Sequence, residues 1–273
     1  MLKHATAALM AVFVCLVLSG CPKNAHVTGD ARALTGVATA TKTESVKHKI
    51  CPDKMALDIK VNYPRKTGNS EVDAFFEKNA QDYIKNLIET NQDDVLAKDF
   101  SCNFPEHLFA NNEFEASKPN PGVLGVLITS TAFLGGAHGS EDFKAYNFDL
   151  ATGKEITIAE LFPNGKEGIS RYYDFLYLDL CSKTPDHDPA NYVLDGKCGE
   201  DKKAPKTILN LTGSLDKLGH LILTETGATA NFVSYEIWAG FRGPYHLKIP
   251  KEALLAMGAR DFWNAPARST GGE

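Results

Sequence analysis

A nearly continuous run of apolar and β-branched residues over 123–133 constrains the fold of this chain more than any other segment. A strand with one wet face alternates apolar and polar residues, whereas a strand covered on both faces carries an unbroken apolar run. We therefore predict a buried central strand over Val123–Phe133. A second strand follows over Ala145–Leu150, and Gly153 lies in the turn after it.

The segment before this central strand carries the periodicity of a strand and a helix. Strict alternation over Leu57–Tyr63 predicts a half-buried strand, which Pro64 ends. Ser70 then precedes acidic residues in a pattern typical of a helix start. Apolar residues recur after it at helical spacing, namely Val72, Phe75, Phe76, Ala80, Tyr83, Ile84, Leu87 and Ile88. This stripe predicts an amphipathic helix that covers one face of a sheet.

The second half of the chain mixes short helices and short strands. Thr157 and Glu160 have the spacing of a capping box, which predicts a short helix through Phe162. Further elements are predicted as a helix over 169–180, strands over 221–224 and 232–239, and a helix from Pro250 to Met257 that Gly258 ends. The whole pattern indicates an α+β fold: a mainly antiparallel sheet covered by helices, in two closely associated modules.

Composition and motifs narrow the class of function. Hydrophobic residues make up 43% of the chain, charged residues 23%, and the formal net charge is −5. Nucleic-acid binding needs a basic face, so this mild acidity argues against a nucleic-acid partner. The sequence contains no nucleophile elbow, zinc-protease helix, phosphate-binding loop or dinucleotide fingerprint, and we therefore expect no cofactor and assign no catalytic residue.

The N-terminus has the pattern of a secretory signal. Lys3 and His4 precede an apolar run over 5–18, which is shorter than the roughly 20 apolar residues of a spanning helix. The following Ser-Gly-Cys resembles a bacterial lipobox, in which Cys21 is the lipid-modified first residue of the mature protein. A signal over 1–20 and a flexible tether over 21–48 are therefore expected. The alternative is an ordinary cleaved signal whose cysteine is incidental.

The lipobox predicts a location in the cell envelope, with the folded part facing the periplasm. A thioether-linked diacylglycerol and an N-acyl chain would anchor the protein, since each buried methylene contributes about 0.8 kcal/mol. Pro22 stands where an aspartate would retain such a protein in the inner membrane. We therefore favour the outer membrane over the inner one.

Four cysteines remain outside the signal and the lipidation position: Cys51, Cys102, Cys181 and Cys198. An even number of cysteines in an exported chain predicts disulfide bonds, and three pairings are possible. We favour Cys51–Cys102 and Cys181–Cys198 because each pair is nearest in sequence. A four-thiolate zinc site is the alternative. No Cys-x-x-Cys occurs, so we expect no metal.

Several stretches resemble one known family. They are Gly135-Gly136-Ala137-His138, residues 146–155, Leu161-Phe162, and the late segments 235–237, 243–245 and 249–250. Together they are similar to the extracytoplasmic domain of the lysozyme-sensing anti-sigma factor RsiV and its relatives. Residues 57–90 resemble the companion module that precedes it, which is also found in the peptidoglycan deacetylase PdaC.

This resemblance implies a PdaC-like module over 49–118 and an RsiV-like module over 119–265. It also implies a lysozyme-like muramidase as the partner, and such enzymes are often basic. No segment of the sequence resembles the sigma-binding part of RsiV or the catalytic domain of PdaC. We therefore expect neither sigma-factor signalling nor deacetylation.

Three residues in predicted loops are candidates for partner binding. His138 lies between glycines, which permit the backbone to present an imidazole. Asp186 and Asp188 lie in a polar segment that the Cys181–Cys198 bond would close. The alternatives are a histidine bonded to backbone in a tight strand connection, and an ordinary solvated acidic loop.

Three functions are compatible with the sequence. The first is a lipid-anchored, non-enzymatic envelope protein that binds a lysozyme-like muramidase or cell-wall glycan. The second is a cell-wall glycan hydrolase that uses a carboxylate pair drawn from Glu141, Asp142 and Asp149. The third is a purely structural lipoprotein.

Overall fold

The structure is a computed structural model that describes residues 36–47, 55–91, 108–134, 138–183, 219–234 and 243–264. Two β-sheets organise this part of the chain. The strands are β1 (Ala38–Lys47), β2 (Met55–Arg65), β3 (Leu108–Asn120), β4 (Val123–Phe133), β5 (Ser140–Asp149), β6 (Lys154–Glu155), β7 (His220–Thr224), β8 (Gly227–Phe232) and β9 (Tyr245–Pro250). The helices are α1 (Ser70–Asn91), α2 (Ile158–Leu161), α3 (Lys166–Lys183) and α4 (Lys251–Ala256).

The larger sheet has six strands in the order β1-β2-β3-β4-β5-β6. Its neighbours are antiparallel except for β2 and β3, which run parallel. Strand β4 is the predicted central strand, and its first six residues are all buried. The α+β class with a mainly antiparallel sheet is therefore confirmed.

Helix α1 covers one face of this sheet, as its apolar stripe predicted. Val72, Phe76 and Ala80 are buried in the interface. Phe75 and Phe76 make edge-to-face contacts with Phe148 of β5, at centroid distances of 5.1 Å and 5.6 Å. Rings in this arrangement contribute about 0.5–1.5 kcal/mol beyond their buried area, so the cluster fixes the helix on the sheet.

Strand β1 corrects the expectation of a flexible tether over residues 21–48. Residues 38–47 instead pair antiparallel with β2 along almost their whole length. The segment has little aliphatic bulk because it is an edge strand whose side chains are mostly exposed. Backbone hydrogen bonds to β2 and an ion pair between Lys42 and Glu77 of α1 hold it in place.

The smaller sheet has the order β7-β8-β9, with both pairs antiparallel. The second of the two late strands was predicted over 232–239. Strand β8 ends at Phe232, and residues 235–239 of the predicted strand lie outside the described residues. Its inward positions are taken by small residues such as Ala228 and Ala230, which carry a weak hydrophobic signal. Its packing partners include buried residues of α3, namely Tyr172, Tyr173, Leu176, Tyr177 and Leu180.

The helices predicted in this half are all present, and α3 extends three residues beyond each end of the predicted 169–180. Thr157 and Glu160 form a complete capping box at the start of α2. Pro250 is the residue before α4, and Met257 is its C-terminal cap. Gly258 follows with a φ of 93°, a left-handed conformation that glycine adopts without strain.

The two sheets meet where β7 crosses the face of the larger sheet opposite α1. The Asn147 side chain of β5 donates to the Leu221 carbonyl at 2.9 Å and accepts from the Leu223 amide at 2.7 Å. Gly125 of β4 lies beneath this contact, and a Cβ there would collide with the Leu223 carbonyl oxygen. The side-chain amide of Asn147 thus makes the two hydrogen bonds to β7 that a neighbouring strand would otherwise make. Because Gly125 has no side chain, the backbone of β7 can approach the larger sheet closely at this point.

Among the described residues, no helix combines the length and the hydropathy that crossing a bilayer requires.

Candidate functional site

A row of polar side chains interrupts the apolar face that lies under α1. The strand registers place Val61 beside Asn112, Asn112 beside Ser130, and Ser130 beside Asp142. Residues directly opposite on neighbouring strands point to the same face of a sheet, so all of them point toward α1 as Val61 does. The row therefore forms a polar site at the edge of the helix-covered core.

Asn112 is the most unusual member of this row. Asn112 is 5% exposed, and its side-chain Oδ1 atom has no hydrogen-bond partner among the described residues. Leaving a buried acceptor unpaired costs about 1–3 kcal/mol, and more than 90% of buried polar groups avoid that cost. The atom itself has almost no accessible surface, so this unpaired carbonyl is enclosed by the protein and is a polar defect in the core beneath α1.

A cavity of about 30 Å³ lies beside Asn112, between α1 and the sheet. Its polar lining includes Tyr83 and Asn79 from the helix and Ser130, Lys144 and Tyr146 from the sheet, while Val61, Phe76 and Ile128 supply an apolar wall. The cavity is partly open to solvent. It therefore has room for one small group with hydrogen-bonding atoms.

The two tyrosines at this cavity stay neutral at ordinary pH. Burial raises the pKa of Tyr83, a hydrogen bond with Ser130 opposes that change, and the Asp142 carboxylate adds to it. Burial also raises the pKa of Tyr146, and Glu155 and Asp142 act in the same direction. Both hydroxyl groups therefore offer a proton to an acceptor as well as lone pairs to a donor.

The face of the larger sheet opposite α1, called the outer face below, is acidic beside the part on which β7 packs. By strand alternation it carries Asp58, Glu113, Glu115 and Glu141, and Lys60 is the one basic side chain that the described pairings of β2–β5 place there. Glu113 and Glu115 are exposed. The net charge of this face is therefore negative.

Cross-strand hydrogen bonds order part of this outer face. Thr41 Oγ1 of β1 donates to Asn62 Oδ1 at 2.7 Å, and Asn62 Nδ2 donates to Glu113 Oε1 at 2.8 Å. Ser45 Oγ donates to Asp58 Oδ1 at 2.8 Å. Glu113 and Asp58 are therefore held by defined partners rather than left free to rotate, which lowers the entropy cost of engaging them.

Two histidines border the outer face next to Phe143. The ring of Phe143 lies 6.2 Å from His220 and 5.9 Å from His246 between centroids. His246 Nδ1 lies 2.7 Å from Asn231 Oδ1. Burial lowers the pKa of His246, whereas Glu115 and Glu141 oppose that shift and Lys248 adds to it.

The structure separates the carboxylates proposed as a hydrolytic pair. Glu141 and Asp142 are consecutive on β5, so their side chains point to opposite faces of the sheet. Asp149 Oδ1 accepts hydrogen bonds from the amides of Ala151 at 2.8 Å and Thr152 at 3.3 Å, which is the role of a turn residue. These three residues therefore do not converge on one substrate.

His138 is exposed, and its Nδ1 lies 3.0 Å from the carbonyl oxygen of the next residue. That contact is the local backbone interaction weighed above as the alternative to partner binding. The other sequence-predicted residues, Cys21, Cys51, Cys102, Asp186, Asp188 and Cys198, lie outside the described residues. Cys181 at the end of α3 is disulfide-bonded to a cysteine outside those residues, so its pairing with Cys198 stays a prediction.

Sequence reasoning missed Asn112 and Ser130, although one signal for Asn112 is present. In β3 the inward positions are Leu108, Ala110, Asn112, Phe114 and Ala116. A single asparagine in an otherwise apolar inward register marks a buried polar group, and such groups need a partner. Within the described ranges, His, Cys, Asp and Glu side chains form no group of three or more that could hold a metal ion.

Comparison with known proteins agrees with part of the sequence-based resemblance. Residues 50–141 match the family model described as deacetylase PdaC, which confirms that a PdaC-type module is present, while its bounds at 49–118 stay a prediction. No curated protein matches the chain significantly.

Two solved structures match the chain. A member of the DUF3298 family from Bacteroides fragilis has 16% identity and a TM-score of 0.51, with 82% of this chain and 93% of that chain covered. A DUF3298 family protein from Pseudomonas aeruginosa has 15% identity and a TM-score of 0.49, with 83% and 96% covered. At these identities the first likeness shows a shared fold and carries no statement about activity.

Proposed function

We propose that the protein is a lipid-anchored cell-envelope protein whose α+β region is a non-enzymatic binding domain, with a basic, lysozyme-like muramidase as its partner. Three features support this proposal. The leader ends in a lipobox-like Cys21, several segments resemble the extracytoplasmic domain of RsiV, and the outer face of the larger sheet is acidic.

The acidic outer face is the observation that carries the proposal. A basic protein approaching Glu113, Glu115 and Glu141 gains from complementary charge, which speeds encounter and suppresses wrong partners. The hydrogen bonds that hold Glu113 and Asp58 in place reduce the ordering cost on binding.

Catalysis has weaker support. The matched family model is described as a deacetylase, but the resemblance assigns the matching module to the part that precedes a catalytic domain. The candidate hydrolytic carboxylates lie on opposite faces or cap a turn. We therefore place binding ahead of glycan hydrolysis.

The test measures the affinity of the purified protein for lysozyme by isothermal titration calorimetry at low and physiological salt. An exposed ion pair contributes about 0.2–1 kcal/mol. Replacing Glu115→Gln and Glu141→Gln together should therefore raise Kd about 2- to 30-fold. Glu89→Gln with Glu252→Gln is the matched control, because it removes the same charge from exposed sites on α1 and α4.

The control pair should bind lysozyme as the wild type does, and the affinity of the wild type should fall as salt rises. Absence of lysozyme binding by the wild type, or equal weakening in both double variants, would contradict the proposed partner. Release of reducing sugar from purified peptidoglycan by the wild type would instead favour the hydrolase.

A further inference from the structure

Strand β1 is an open edge of the larger sheet. It stands first in the order of the six strands, so it has a strand neighbour on one side only. Its ten residues keep one register with β2 until a shift between Val46 and Lys47, and no described strand pairs with its other side. The backbone N–H and C=O groups along such an edge form a template on which another strand can pair.

The backbone groups that face this open edge belong to Thr39, Thr41, Thr43 and Ser45. This follows because the backbone groups of successive residues point to opposite sides of a strand. The Leu150 amide donates to the Gly122 carbonyl where β4 and β5 meet, and the registers carry the alternation from there to β1. A further strand at this edge would therefore bond to these threonines and to Ser45.

The side chains of β1 that share a face with α1 carry opposite charges. They are Ala40, Lys42, Glu44 and Val46, which pair with the inward residues of β2. Lys42 Nζ lies 3.3 Å from Glu77 of α1, whereas Glu44 is exposed and makes no ion pair within the described residues. An ammonium group has three donors, so Lys42 can keep Glu77 and bind a second carboxylate.

One antiparallel register between two copies of β1 matches this pattern with itself. When Thr43 pairs with Thr43 of the second copy, Lys42 of each copy stands opposite Glu44 of the other. The remaining opposed pairs are Ala40 with Val46 and Thr41 with Ser45. Opposite charges and paired hydroxyl groups that face each other across strands stabilise a sheet.

Charge also selects this register against its neighbours. The next register that keeps the same backbone alternation places Lys42 opposite Lys42 in one direction and Glu44 opposite Glu44 in the other. Like charges directly opposite one another destabilise a strand pair. The matched register uses the same residues on both copies, so it closes as a twofold dimer.

We propose that two copies of this protein associate through β1, which pairs antiparallel with β1 of the second copy in the register that places Lys42 opposite Glu44. The two larger sheets become one continuous sheet. Opposed residues share a face, so both α1 helices lie on one side of it and both acidic outer faces on the other. This inference depends neither on lysozyme binding nor on a lipid anchor, because it rests on the backbone and charges of β1.

Sedimentation velocity of the purified full-length protein in a nonionic detergent measures the association between about 1 μM and about 100 μM. The wild type should shift from monomer to dimer as its concentration rises. Hydrogen exchange gives a local readout, because the amides of Thr41, Thr43 and Ser45 gain partners in the dimer and should become protected. A wild type that stays monomeric over this range, or a dimer in which these amides stay unprotected, would refute the proposal.

Charge reversal tests the register. Lys42→Glu and Glu44→Lys each turn both opposite-charge pairs of the dimer into like-charge pairs, so each should weaken self-association at least about tenfold. An equimolar mixture of the two variants should dimerise again, because opposite charges then face each other. Lys248→Glu is the matched control: it reverses the same charge at an exposed position of β9 and should dimerise as the wild type does.

A proline variant tests the backbone pairing without changing charge. Thr43→Pro removes an N–H that faces the open edge and leaves the hydrogen bonds between β1 and β2 in place. It should abolish the dimer with little change in the melting temperature of the monomer, and it serves as the test where Lys42→Glu does not fold. Unchanged self-association of a folded Thr43→Pro or Glu44→Lys variant, or a mixture that associates no better than its two components, would overturn the proposed interface.

Discussion

Replacing Asn147 with alanine should uncouple the two sheets. Its side chain makes the two hydrogen bonds to Leu221 and Leu223 of β7, at 2.9 Å and 2.7 Å. Asn147, Leu221 and Leu223 are 8%, 7% and 0% exposed, so water has little access to the backbone groups that the change would leave unpaired. Loss of these hydrogen bonds would therefore leave two buried backbone groups unpaired, which lowers the free energy of unfolding.

The magnitude follows from that burial. Each backbone group left buried without a partner costs about 1–3 kcal/mol, and two groups are affected. Partial entry of water into the vacated space offsets some of this cost. We expect Asn147→Ala to lower the free energy of unfolding by about 2–4 kcal/mol, which corresponds to a fall in Tm of roughly 4–16 °C for a chain of this size.

Urea denaturation gives the free energy, and hydrogen exchange of the Leu223 amide gives a local readout. Asn91→Ala is the control, because Asn91 Nδ2 donates at 2.7 Å to the Leu87 carbonyl within its own helix. This control should cost less than about 1 kcal/mol. The reasoning fails if Asn147→Ala costs no more than the control, or if the Leu223 amide keeps its protection in the variant.

Two further predictions concern the lipid anchor and the outer face. Metabolic labelling with a palmitate analogue should mark the wild type and not Cys21→Ala, and unlabelled wild-type protein free in the periplasm would contradict the anchor. NMR titration should place the pKa of His246 below its ordinary value, because its partial burial disfavours the imidazolium. Stability linked to His246 is then greatest above the ordinary histidine pKa and declines as pH falls from there to the folded pKa. Glu115→Gln should lower the pKa of His246 further, since that carboxylate favours the charged ring, and an unchanged or raised value would refute the assignment.

Elements with strong local signals were predictable from the sequence. Helix α1 has a long apolar stripe, β4 has an unbroken apolar run, and α2 has its capping box. Each signal arises within one turn or one strand, where side-chain spacing alone determines which face is buried.

Strand β1 was missed because its stability does not come from its own side chains. It is an edge strand with an exposed outer face, and its inner face carries residues such as Ala40 and Lys42 rather than large aliphatic side chains. Pairing with β2 supplies the stabilisation, and pairing leaves no trace in the periodicity of a single segment. The parallel register of β2 with β3 is invisible to local patterns for the same reason.

The polar row under α1 was missed for a related reason. Asn112, Ser130 and Asp142 are spread over three strands, and only the registers of β3, β4 and β5 bring them side by side. A shift of one residue in any register would move these side chains to the outer face. The candidate cavity is therefore a property of strand pairing rather than of a motif.

Strand alternation also explains how one sheet offers two unrelated surfaces. Asn112 and Glu113 on β3, and Asp142 and Glu141 on β5, are consecutive pairs whose members point to opposite faces. The cavity under α1 and the acidic outer face thus share backbone and Asn62, which lines the cavity and donates to Glu113, but otherwise present different side chains. Asn112→Leu should therefore leave lysozyme binding intact, because its side chain points away from the acidic face. Loss of lysozyme binding in Asn112→Leu would mean that the substitution acts through the backbone of β3 and not through the acidic face itself.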